Sequence, residues 1–191
     1  IKSPEGGGAW NFIKKLTASG DASLSFVDGA SDVVLDSTYK TYVFTFNNIH
    51  PATDGEKIQF NFSTDSGSNY NVTKTTTTFE TQHNEADTST ELRYLTANDL
   101  AQGTGYQDLT KDIGAENDEC CSGYLHLFEP SSSVFVKHFI ASINSYFSND
   151  QTDQFFIAGY GNTTSAVDAI QFKMSSGNID AGDICLYGIS T

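Results

Sequence analysis

The sequence predicts an all-β fold, a jelly-roll-like antiparallel β-sandwich with at most one or two short helical turns. Three observations carry that expectation. Apolar and polar residues alternate in run after run, which is the period of a half-buried strand. Clusters of Gly, Asn, Asp and Ser separate the runs at intervals of roughly 8–15 residues. No strand–helix–strand alternation and no fixed repeat interrupts them. Composition agrees: 191 residues suffice for one full core, and 14 Phe and 9 Tyr set the chain apart from a disordered one.

The elements follow in order. "IKSPEGGGA" (1–9), with Pro4 and three consecutive glycines, reads as a flexible lead-in or linker, and 10–191 as a single β-sandwich domain. "WNFIKKL" places Trp10, Phe12 and in part Lys14 on one face. "ASLSFV" alternates through Leu24 and Phe26. "TYVFTFNNI" (Thr41 to Ile49) is mostly apolar and suits a strand buried on both sides. "KIQFNF" lines up Ile58, Phe60 and Phe62. After the bend "STDSGSN", "NVTKTTTTF" continues the rhythm on a polar surface, so Ile58 to Phe79 reads as a hairpin.

The middle of the chain is less regular. Thr81 to Glu91 reads as an exposed loop. One helical turn is expected at Asn98 to Gln102, with Asn98 as cap and Gly103 as stop. "DIGAENDECCSG" reads as an acidic, glycine-containing loop. Strands resume with "YLHLFE", with "VFVKHFIASINSYF" (strand-like by its Val, Phe and Ile content), and with "QFFIAGYGN", "DAIQFKMSS" and "ICLYGI".

The formal net charge is -14, from 24 acidic and 10 basic residues, and no basic cluster exceeds Lys14–Lys15. Neither nucleic acid nor an anionic membrane is therefore an expected partner. No apolar run approaches the ~20 residues of a helical membrane span. Cys120, Cys121 and Cys185 form no disulfide framework and no zinc spacing, and three reduced thiols are expected. The chain opens on Ile1 rather than Met, which leaves room for a segment upstream.

Motifs for chemistry are absent. There is no GxSxG, HExxH, Walker loop or GxGxxG. His50, His83, His126 and His138 lack metal-ligand spacing, although His126 and His138 could meet across a hairpin. Structural calcium is the one cofactor with candidate ligands: Asp65 with Asn69, Glu116 to Glu119, and Asn178, Asp180 and Asp183. Asp and Asn beside Gly are also the usual turn formers, and turn chemistry is the simpler reading at each place. Sequons occur at Asn61, Asn71 and Asn162. Tyr70, Tyr94, Tyr106, Tyr146 and Tyr160 lie near strand ends, where rings could serve a sugar site or pack at a rim. No catalytic, cofactor or metal residue is assigned.

Several stretches together resemble a family of virion structural proteins from marine tailed bacteriophages: "HPATDG", Ile58 to Phe79, "DLAQGTGYQDL", "LHLFEPSSSVFVKHF", and the run from Gly159 to Ile189. The resemblance runs from about Trp10 onward. It implies a non-enzymatic component of the virion surface, as a capsid decoration, head-fibre or tail-fibre part. Implied partners are other capsid or tail proteins and further copies of the chain, as in a trimer. The alternative is a lectin-like module that binds a host surface glycan. Cys120 and Cys121 depart from the family pattern, so the resemblance implies no disulfide there. The loops Thr81 to Glu91 and Asp112 to Gly123 are the expected contact surfaces.

Overall fold

The structure, a computed structural model, describes residues 10–190. The expected lead-in at 1–9 lies outside them. Two antiparallel sheets pack as a β-sandwich, in line with the sequence, but they are unequal: nine strands in one and four in the other. The large sheet has the spatial order β1 (Trp10–Asp21), β13 (Ile179–Ile189), β3 (Thr41–Pro51), β9 (Cys121–Phe128), β10 (Lys137–Phe147), β11 (Gln151–Gly161), β5 (Lys74–Asn84), β6 (Thr90–Tyr94). The short β7 (Ala101–Gly103) also pairs with β5. The small sheet runs β2 (Leu24–Val27), β12 (Ala169–Met174), β4 (Ile58–Ser63), β8 (Gln107–Asp108).

Alternation puts one face of each sheet inward, and the core between them is largely aromatic. Phe60 meets Phe139 edge-on at 5.0 Å between ring centroids, and Phe46 meets Phe172 at 5.1 Å. Phe26, Phe44 and Phe62 complete the packed rings. Such T-shaped pairs set positive ring edges against negative ring faces.

Several expectations shift. Thr81 to Glu91 is not a loop: Thr81–Asn84 continue β5, and β6 returns after a short turn. The bend "STDSGSN" is a turn but not a hairpin, because β4 and β5 belong to different sheets. Its turn chemistry is as read: Gly67 has φ +80°, and Asp65 Oδ1 accepts from the Asn69 amide at 2.9 Å. The helical turn is a short 3-10 turn at Thr96–Asn98, and Gly103 ends β7 instead. The Asn98 side chain caps nothing in that turn and donates to Asp108 at 3.4 Å.

Toward β5 the inner face becomes polar. Lys137 and Lys74 flank Gly161 in one cross-strand row, and both are fully buried. Lys137 Nζ donates to the carbonyls of Ser132, Phe135 and Thr163. Lys74 Nζ donates to the Val72 carbonyl at 2.9 Å and to Asn61 Oδ1, and burial pulls its pKa down to about 7. Three rows further, Glu80 pairs with Arg93, and in the row beyond it the Asp153 carboxylate keeps one hydrogen bond, from Gln151 Nε2 at 2.9 Å. Glu80 Oε2, Asp153 Oδ2 and Ser145 Oγ are buried without partners.

Candidate functional site

The small sheet covers one face of the large sheet, and among the described residues nothing covers the other. The residues on that open face follow from strand register. One cross-strand row runs Phe12, Tyr187, Val43, His126, Ile140, Ala158, Thr77. The next runs Lys15, Cys185, Thr45, Tyr124, Ser142, Phe156, Phe79, Tyr94. On the other side lie Trp10, Ile189, Thr41 and Phe128, then His138, Tyr160 and Thr75. A bulge between Phe12 and Lys14 makes Lys15, rather than Lys14, follow Phe12 on this face.

These side chains pack on one another but stay open to solvent. Trp10 lies 5.4 Å from Tyr187, and Tyr124 lies 5.3 Å from His126, measured between ring centroids. Phe12 is 61% exposed and Ile140 52%. Val43 and Cys185 are buried although they stand outside the core between the sheets. A groove of about 500 Å³ crosses the face between Phe128, His138, Ile140, Tyr160, Thr75 and Thr77. Burial lowers the pKa of His126, which favours a neutral ring among these aromatics.

None of the residues in these three rows carries a carboxylate, in a chain with 24 acidic residues. Among the described residues, acids at the margin are engaged. Asp183 accepts from Lys15 Nζ at 3.1 Å and from Thr17 Oγ1 at 2.5 Å. Glu129 pairs with Lys40 at 2.6 Å, and Asp99 accepts from the Tyr94 hydroxyl. An acid-free apolar face on so acidic a body is the surface a partner can cover without desolvating charge.

The residues singled out in the sequence fall in other places. Asp65 and Asn69 bond each other within their turn. Asn178 donates to the Gly20 carbonyl at 2.8 Å. Asp180 stands 3.5 Å from His50 Nδ1, beside a pocket of about 470 Å³ that Asp118, Glu119 and Cys120 also line. Two calcium candidates thus converge, yet Glu119 already accepts from the Glu116 amide at 2.6 Å. Among the described residues no group of three or more His, Cys, Asp or Glu is placed to hold a metal ion. His126 faces Ile140 rather than His138, and each imidazole packs on aromatic rings. The three thiols stand free. Asn61 is buried, so of the sequons only Asn71 and Asn162 are exposed. Of the tyrosines, Tyr94 and Tyr160 reach the open face, while the Tyr106 hydroxyl bonds Gln171 at 2.5 Å and Tyr146 bonds Glu85 at 3.1 Å.

Sequence reading missed this face as a unit. Its signal was present in "KHFIASINSYF" and "QFFIAGYG", where apolar residues occupy both alternating sets. Which strands lie side by side could be learned only from the fold.

No family model matches this sequence, and no curated protein matches it. Among solved structures, the chain is similar to the CBM2 module of the evolved Dit of Lactobacillus casei BL23 phage J-1. The identity is 11%, the alignment covers 98% of this chain and 81% of that one, and the TM-score is 0.24. At that level the likeness carries no argument about function.

Proposed function

We propose that this chain is a non-enzymatic structural component of a tailed-phage particle, displayed at the virion surface and joined to its neighbours through the open face of the large sheet. The observation that carries the reading is that face: aromatic, free of carboxylates across three rows, and uncovered by the other described residues. The sequence resemblance to virion proteins supplies the setting. Obligate assembly surfaces resemble a domain core cut in half, and a face with Trp10, Phe12, Ile140 and Phe156 in the open has that character. Peptide mass mapping of gradient-purified particles of the phage that encodes the chain tests the reading. The chain should be present in stoichiometric amount, and its absence from such particles would end the proposal.

A second reading has one specific feature in its favour. The groove between Phe128, His138 and Tyr160 sets aromatic and imidazole rings beside the Thr75 and Thr77 hydroxyls. Rings that stack on apolar sugar faces, next to hydroxyls that hydrogen-bond, suit a host surface glycan. On a glycan array the chain should then bind in a manner lost with Tyr160→Ala. No signal at high protein concentration would remove this reading.

A further inference from the structure

We propose that the open face of the large sheet pairs with the same face of a second copy of this chain, about a two-fold axis lying along β9. This rests on the reading above that the face is the protein's binding surface, and it names the occupant.

The first argument is charge. Two bodies that each carry a net charge of -14 repel over most of their surfaces. They can approach closely where carboxylates are missing, and the three rows are such a place. The second is area. The strands from β1 to β5 in spatial order, spaced ~4.8 Å apart, and three rows two residues apart make a patch roughly 700 Å² in size. A standard stable interface takes about 800 Å² from each partner.

The third argument is shape. In the spatial order β1, β13, β3, β9, β10, β11, β5, the middle strand is β9. A two-fold axis along it lays the β1 side of one copy over the β5 side of the other. Phe12 then faces Thr77, Tyr187 faces Ala158, and Val43 faces Ile140. In the next row Phe156 faces Cys185, and Phe79 faces Lys15, as a ring faces a cation. In the third row Trp10 faces Thr75. Trp10, Phe12 and Tyr187 on the β1 half meet small residues, and Phe156 on the β5 half meets Cys185, while Tyr124 and Phe128 on the axis meet their own copies and Ile189 meets Tyr160. Every pair is repeated about the axis, as in any isologous contact. Two twisted sheets stacked in this way sit ~10 Å apart with strands within about 30° of alignment.

Sedimentation velocity of the isolated chain from about 1 to about 500 µM tests the pairing. The wild type should be a dimer with Kd at or below about 10 µM. Ile140→Asp should raise Kd by at least about 100-fold while keeping the melting temperature of the monomer, compared at concentrations below the wild-type Kd, because Ile140 is 52% exposed in the single chain. Ala52→Asp, exposed and off the face, should change nothing. As an independent readout, His126→Cys in a Cys120→Ser background lies on the axis and should give a covalent dimer with a short bismaleimide. A wild type monomeric throughout, a dimer indifferent to Ile140→Asp, a trimer, or no cross-link at position 126 would each overturn the pairing. A monomer still found in purified particles would overturn it while leaving the function proposed above intact.

Discussion

Phe79 and Phe156 stack across the β5–β11 pair, with ring centroids 4.9 Å apart and planes 17° from parallel, on a face that no other described element covers. The two rings sit directly opposite in register, so strand pairing alone brings them together. The stack is half-exposed, which makes it a contact of the single chain and part of its open surface. A double-mutant cycle of Phe79→Ala and Phe156→Ala, followed by urea unfolding, should give a coupling of about 0.5–1.5 kcal/mol. Additive losses would mean that the rings do not touch in solution.

Asp153 should make stability depend on pH in the sense opposite to most carboxylates. Burial, and then the charge of Glu80, push its pKa up to about 6 from an ordinary 3.8. The folded state therefore holds a proton more tightly than the unfolded chain. Its destabilising contribution is absent below about pH 4, grows as pH rises through 4 to 6, and is complete above that. Asp153→Asn should stabilise the protein at pH 7 by on the order of 2 kcal/mol and by nothing at pH 4. Equal melting-temperature changes at both pH values would contradict this assignment.

Gly123 on β9 is required by close packing. A Cβ there would lie 2.3 Å from the Ser142 carbonyl oxygen and 2.7 Å from Ile143 Cα, both backbone atoms that cannot yield cheaply. Gly123→Ala should cost about 3 kcal/mol in chemical denaturation. Gly105→Ala, which meets nothing within 4 Å, should cost little.

Asp65 is a turn residue by its bonds. It accepts from the Asn69 amide, the Asn69 side chain and the Ser63 hydroxyl, and these bonds hold its pKa below the ordinary value. Asp65→Ala should lower the melting temperature by the same amount in calcium and in chelator. A calcium-dependent rise in the wild type, lost in the variant, would make the turn a metal site after all.

The strands were legible because alternation is local. Leu24–Phe26 and Ile58–Phe62 fall where period-two reading puts them, and the β10 run is a strand as its Val, Phe and Ile content suggests. The partition into sheets was not. Nothing near Ser63 to Asn69 says whether the chain turns back on β4 or crosses to the other layer, since the same Asp, Gly and Asn serve both. Thr81 to Glu91 misled because polar strands at a sheet edge have loop composition. The candidate site was hidden for a related reason. Trp10, Tyr124, Ile140 and Phe156 are far apart in sequence, and only register across the sheet gathers them.

The central claim is that this protein works through the open face of its large sheet. Cryo-electron microscopy of the phage particle, at a resolution that shows side chains, tests it most directly. The account predicts Phe12, Ile140 and Phe156 buried against a neighbouring subunit. A particle in which the chain is present with that face bare to solvent, its neighbours held elsewhere, would contradict it.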